Sequence, residues 1–302
     1  MPPAFEPMRD FVGYGAQPPA AQWPEGARLA LNICINFEEG AELSVPDGDG
    51  VSEAGLTEGG AGSAGVRDLA AESMFEYGSR VGFWRLDRLL AERGMTATVM
   101  ACAQALARHP QACRRINERG YDICAHGLRW EHHQGLGVEQ ERERIAQALA
   151  LIRQSLGRPA QGWYCRYGPS ANTRRLVMEH DELLYDSDAY NDDLPYWVRQ
   201  DGKAHLVVPY SLVNNDTKFM RGALSSGSDF YIALRDAFDF LYAEGAHTPR
   251  MMSVGLHLRI AGHAARAAGL ERFLDHVAAT PGVWVCRRAD IARHWMRLRP
   301  PG

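Results

Sequence analysis

Eight short, nearly continuous apolar runs punctuate this 302-residue chain, and longer stretches with apolar residues at helical spacing lie between many of them. The runs are ARLALNICINF at 27–37, TATVMAC at 96–102, YDICAH at 121–126 and GWYC at 162–165, then LLYDS at 183–187, HLVVPY at 205–210, MMSVGLHL at 251–258 and VWVCR at 283–287. A strand that is apolar on both faces belongs to a sheet covered on both sides. Parallel sheets are covered in this way, because their crossover helices lie on the faces. Helical patterns fall at 80–92, carrying Val81, Trp84, Leu86, Leu89 and Leu90, and at 139–156, carrying Ile145, Leu149, Ile152 and Leu156. Three more lie at 229–244, 270–278 and 289–298. The alternation predicts an α/β fold, a distorted (β/α) barrel of seven or eight parallel strands. No Pro/Ser-rich linker interrupts it, so one domain is expected over 1–302.

The formal net charge of −4 gives no reason to expect a nucleic-acid partner. Arginines gather over 287–299 but are interleaved with Ile291, Trp295 and Leu298, which reads as the solvated face of a helix. No apolar run approaches the ~20 residues of a membrane span. The N-terminal MPPAFEPMRDF lacks the charged-then-apolar order of a secretory signal. The six cysteines, at 34, 102, 113, 124, 165 and 286, form no close pairs, and Cys34, Cys102, Cys124 and Cys286 sit inside apolar runs. Small buried thiols suit a reducing compartment, so the cytoplasm is expected.

Residues 43–70, LSVPDGDGVSEAGLTEGGAGSAGVRDLA, break the rhythm. A long insertion of this kind is usually functional or mobile, and after a first barrel strand it would lie over the active face. It holds Gly60-x-Gly62-x-x-Gly65, but no strand precedes these glycines, so a dinucleotide site is not expected.

Chemistry in β/α barrels sits at the C-terminal ends of the strands. Here those ends carry Asn36-Phe37-Glu38-Glu39-Gly40, His126, Arg166, then Asp186-x-Asp188 with Asn191-Asp192-Asp193, and finally His257 followed by Arg259. A lone histidine in an apolar strand is more often a core residue. Two carboxylates, two histidines and an arginine at one end of a sheet are harder to explain that way. Of two carboxylates held close, one has a raised pKa and becomes a general base or acid near neutral pH. A surface acidic pair is the alternative, although Glu38 and Glu39 directly follow a buried strand. Cys165, beside Arg166, is a rival nucleophile if positive charge makes it a thiolate.

These residues resemble the polysaccharide deacetylase superfamily. Its Thr-Phe-Asp-Asp-Gly motif is matched by Asn36–Gly40, its His-Ser/Thr-x-x-His motif by His126-Gly127-Leu128-Arg129-Trp130, its later arginine by Arg166 and its last histidine by His257. The resemblance is strongest to one branch, the cofactor-independent allantoinases and related cyclic-imide hydrolases. It rests on FVGYG at 11–15, NFEEGAE at 36–42, EYGSRVGFWRL at 76–86, HGLRW at 126–130, DDLPYW at 192–197 and VWVCRRADIARHW at 283–295. It implies a distorted β/α barrel, a homotetramer, and opening of a small cyclic amide ring. At 162–175 the chain reads GWYCRYGPSANTRR where GWYTGR is expected of an allantoinase, so the identity of the ring stays open.

The resemblance implies a general base at Glu38 and a metal ligand at Glu39, but Trp130 stands where the second metal histidine belongs. A catalytic zinc usually takes three protein ligands. No cofactor is therefore expected. If zinc were held, its ligands would be Glu39 and His126 with His132 or His133. In the metal-free reading Glu38 or Glu39 activates water, His126 and His257 orient substrate and shuttle protons, and Arg166 stabilises negative charge on oxygen. Trp130, Trp163, Tyr164 and Trp197 would wall a flat ring, with Asp193 as a polar contact. Two other functions remain: a metal-dependent N-acetyl-sugar deacetylase and a non-catalytic ligand-binding barrel.

Overall fold

A computed structural model of the protein describes residues 9–302, so the first eight residues of the stretch read for a secretory signal lie outside it. The strands are β1 (Leu29–Phe37), β2 (Thr98–Ala101), β3 (Asp122–Ala125), β4 (Gly162–Trp163), β5 (Tyr185–Asp186), β6 (Tyr196–Gln200), β7 (Lys203–Val207), β8 (Arg250–His257) and β9 (Val283–Val285). They form one curled sheet in the order β6-β7-β5-β4-β3-β2-β1-β8, with β9 beside the start of β1. All eight predicted runs are strands, and their ladders are parallel.

The ninth strand, β6, is antiparallel to β7. Its turn is Asp201-Gly202, both at positive φ (51° and 77°). An Asp-Gly pair between two strands is a strong short hairpin signal. β6 escaped the sequence reading because it is an edge strand of mixed pattern, with half-buried Tyr196, Trp197 and Val198 followed by Arg199 and Gln200.

β1 is the centre of the fold and is buried along its whole length. Leu29, Leu31, Ile33, Ile35 and Phe37 join the outer core, with Ile145, Ile152, Phe238 and Phe273 of the covering helices. Ala30 and Cys34 face the inside of the curl with Met100, Cys124 and Tyr185. The polar residues on that inner column are satisfied. Asn32 Nδ2 donates to Thr98 Oγ1 (3.1 Å) and the Cys286 carbonyl (2.9 Å), and Asn36 Nδ2 to the Leu256 carbonyl (3.2 Å).

Among the described residues no ladder joins β8 to the β6–β7 edge, so the barrel does not close. Arg288 occupies this seam. It is fully buried, against the expectation that the arginines of 287–299 line a solvated helix face. Its guanidinium donates to Ser253 Oγ on β8 (2.8 Å), to the Pro209 carbonyl (2.9 Å) and the Val208 carbonyl beyond β7, and to Ser187 Oγ (2.8 Å). The planar fork of donors thus serves two carbonyls and two serine hydroxyls across the seam, so these buried polar groups are paired without a closing strand. Among the described residues no helix is long and apolar enough to cross a membrane.

Candidate active site

Just beyond Phe37 the chain turns, closed by Ala41 N–H donating to the Glu38 carbonyl (2.9 Å), and the two glutamates at the turn point to different sides. Glu38 continues the inner column of β1 and faces a cavity of about 280 Å³. Glu39 turns outward, beside a second recess of about 390 Å³ that also reaches Arg67, Glu76 and His109. It packs on Gly78, where an added Cβ would lie 2.6 Å from Glu39 Oε1. Gly78 opens a wide, π-helical turn, Gly78–Gly82, of the kind that often marks functional sites.

Two histidines converge on Glu38. His126, just past β3, has Nε2 3.2 Å from Glu38 Oε1; His257, the last residue of β8, has Nε2 3.5 Å from the same oxygen. Their other nitrogens are fixed differently. His126 Nδ1–H donates to the Tyr164 carbonyl (2.8 Å), and its ring stacks on that tyrosine. His257 Nδ1–H donates to Asp216 Oδ1 (2.7 Å), while Asp216 Oδ2 accepts from the backbone N–H of His257 (2.7 Å) and of Ala261 (3.1 Å).

Arg259 completes the group. Its Nη1 lies 2.8 Å from Glu38 Oε2 and 3.1 Å from Glu39 Oε1, and all three side chains are buried. Burial opposes the Glu38 charge, but His257 and Arg259 outweigh it and hold the carboxyl well below the usual range. For Glu39 the balance reverses. Burial, with repulsion from Glu38, overcomes Arg259 and pushes it up to about 6. Burial lowers His257, but Glu38 and Asp216 outweigh it and the net shift is upward.

The insertion does lie over this face. Gly55 and Leu56 line the cavity, the Leu56 carbonyl accepts from Arg259 Nε (3.1 Å), and Glu53 pairs with Arg166 (2.8 Å). Trp130 is held between two cations, with Arg166 at 3.4 Å and Arg259 at 4.7 Å from its ring centroid. Arg166 lines the cavity and donates to the Trp130 carbonyl (2.8 Å), not to either glutamate. Trp130, Tyr164 and His132 also line it.

Three expected site residues lie elsewhere, and the rival nucleophile is also set aside. Trp163 is in the outer core and its Nε1 donates to Cys165 Sγ (3.3 Å). Trp197, on the β6 edge, donates to the Arg299 carbonyl (2.6 Å). Asp193 is an exposed residue whose carbonyl accepts from Met251 N (3.0 Å). Cys165 is buried and its thiol pKa is pushed far up by burial, the opposite of a thiolate nucleophile. Conversely, Asp216 and the Tyr164 carbonyl had no sequence signal. Arg259 was visible only as the cation two residues after His257.

A polysaccharide deacetylase family model matches residues 67–185. A provisionally named polysaccharide deacetylase of Schizosaccharomyces pombe is 36% identical over 97% of this chain and 98% of its own length. The chain belongs to the polysaccharide deacetylase family. A structure of a provisionally assigned polysaccharide deacetylase from Pseudomonas aeruginosa PAO1 superposes with a TM-score of 0.94 at 46% identity, covering 97% of this chain and 99% of that one. A structure of PuuE allantoinase does so with a TM-score of 0.94 at 44% identity, covering 99% and 100%. As a family member the protein is a hydrolase acting on carbon–nitrogen bonds.

The side chains present do not fit the metal site the wider family implies. Trp130 replaces one ligand, and Arg259 already binds both carboxylates with its own positive charge. His133 Nδ1 is engaged by Glu141 Oε1 (3.1 Å), in a cluster with Ser170 and Thr173. Among the described residues no three His, Cys, Asp or Glu side chains are grouped to hold a metal ion.

Proposed function

We propose that the protein opens the ring of a small cyclic ureide or imide by hydrolysing an amide carbon–nitrogen bond, without a metal. The observation that carries this reading is the convergence of two histidine Nε2 atoms on one oxygen of Glu38, in a small cavity that Leu56 also lines. The likeness to PuuE allantoinase across nearly the whole chain supports the substrate class.

In the proposed sequence a water held by Glu38 attacks the ring carbonyl and gives its proton to that carboxylate. A carboxylate held so far down is a weak base, and the proton passes on. His126 Nε2 is positioned to take it, because the other nitrogen already donates to Tyr164 O. The tetrahedral intermediate collapses, the C–N bond breaks, and the nitrogen takes a proton from His257, whose raised pKa suits it to act as the acid. Return of a proton from His126 to His257 through Glu38 resets the site. Arg166 and His132, both on the cavity wall, are placed to bind substrate oxygens.

The test is proton NMR of the protein mixed with allantoin, hydantoin, succinimide and N-acetylglucosamine oligomers, with and without chelator. Ring opening that survives chelation is the expected result. Acetate release from the sugars that chelation stops would overturn it and return the protein to metal-dependent deacetylation.

A further inference from the structure

The peptide group between Tyr164 and Cys165 sits in the middle of a chain of hydrogen bonds. Its carbonyl, on Tyr164, accepts from His126 Nδ1–H at 2.8 Å. Its N–H, on Cys165, donates to Asp188 Oδ1 at 2.8 Å. One amide therefore joins the carboxylate of the half-buried Asp188 to the imidazole that faces Glu38. Among the described residues the second oxygen, Asp188 Oδ2, is buried with no hydrogen-bond partner, so the Cys165 N–H is the backbone donor that holds this carboxyl.

We infer that Asp188 is a positioning residue for His126, acting through the Tyr164–Cys165 amide. An anion on the N–H side of an amide polarises it and makes its carbonyl a stronger acceptor. Hydrogen bonds in such a chain strengthen one another, by roughly 10–30% per bond. The stronger acceptor holds the His126 proton on Nδ1 and keeps Nε2 turned toward Glu38. Asp216 does this for His257 by direct contact; Asp188 does it for His126 at one remove.

The surroundings make the arrangement sensitive to pH. Burial first, and then the charge of Asp186 on β5, push the Asp188 carboxyl up to about 7, while the Cys165 N–H and Arg174 pull the other way. Tyr164 and Cys165 after β4, Tyr190 on its own loop, and Arg174 on the helix Thr173–Val177 are the other titratable groups coupled to it. Above this range the ionised carboxylate polarises the amide fully. Below it the neutral acid accepts more weakly.

This rests on the proposed hydrolase reading only for its activity arm. The first measurement uses the free protein with 15N-histidine labelling and follows the His126 Nδ1–H proton resonance from pH 5.5 to 8.5. The expected result is a downfield shift on raising pH, with an inflection that matches the 13C titration of Asp188. In Asp188→Asn the resonance moves upfield and the inflection disappears, while the His257 signals stay in place. A His126 resonance with no inflection in the unsubstituted protein would overturn the inference, and that arm needs no folded variant. So would a folded Asp188→Asn whose His126 signals are unchanged. With a ring-opening substrate, Asp188→Asn should lower kcat about tenfold with KM unchanged, most of the loss being in the alkaline half of the profile. Failure of ring opening in every variant and in the parent would refute the substrate class and leave the NMR result standing.

Discussion

The two histidines at Glu38 are alike in distance and opposite in support. His257 rests on a carboxylate, Asp216, which also ties down two backbone N–H groups. His126 rests on a neutral carbonyl. A carboxylate at Nδ1 favours the imidazolium, and the His257 pKa is raised accordingly, after burial is overcome. A carbonyl at Nδ1 fixes the tautomer without adding a full charge. In the proposed mechanism the difference divides the work: the carboxylate-backed ring gives a proton and the carbonyl-backed ring accepts one.

The largest expected effect comes from removing the point where the two meet. Glu38→Gln keeps the shape and removes the charge both rings face, and kcat should fall by about 10³- to 10⁴-fold, at the upper end for a general base. A loss smaller than tenfold in steady-state kinetics would break the scheme on both sides at once.

Arg259→Met attacks the support the two sides share. It leaves two buried carboxylates without their cation, which costs about 3–5 kcal/mol in other buried pairs. Glu39 already titrates near 6, and without Arg259 its carboxyl rises further. The destabilisation should therefore be greatest near pH 8 and shrink as pH falls and Glu39 takes up a proton. Thermal melts of parent and variant across that range would show it, and a Tm loss independent of pH would contradict it.

Asp216→Asn separates the two sides. The anion that raises the His257 pKa is lost, so the acid form disappears at lower pH. The alkaline limb of kcat should move to lower pH, and activity at its optimum should fall by about 10- to 100-fold. A profile whose alkaline limb stays in place would assign the acid role to another group.

The smallest effect is expected from thiol alkylation of the folded protein. Cys165 lies two residues beyond the end of β4, but it is buried and its thiol is held far above the reactive range. Iodoacetamide at neutral pH should leave turnover unchanged. Rapid inactivation would revive the rival nucleophile.

Much of this was legible in the chain. Eight apolar runs gave eight parallel strands, because a strand buried on both faces must be apolar on both. Glu38, Glu39, His126 and His257 were found because they stand where such runs end. The hairpin of β6 and β7 was legible too, in Asp201-Gly202, but its outer strand is an edge whose apolar stretch is limited to Tyr196, Trp197 and Val198. Arg288 was misread because a helix-period pattern says which face is solvated only for residues well inside a helix, and Arg288 is the first residue of one.

The sequence by itself determined the strand-end positions and the chemical types that reach them, since these follow from local periodicity. Only the tertiary structure decided which glutamate faces the cavity, that Arg259 binds both, and that Asp216 and the Tyr164 carbonyl back the two histidines. Those facts depend on the register between distant strands: the bridge from Asn215 to Gly255 brings Asp216 under β8, and the ladder from Ala125 to Trp163 brings the Tyr164 carbonyl to His126. Charge and hydrogen bonding act over a few ångströms in space, and Arg259 and Glu38, paired in this site, are 221 positions apart in sequence.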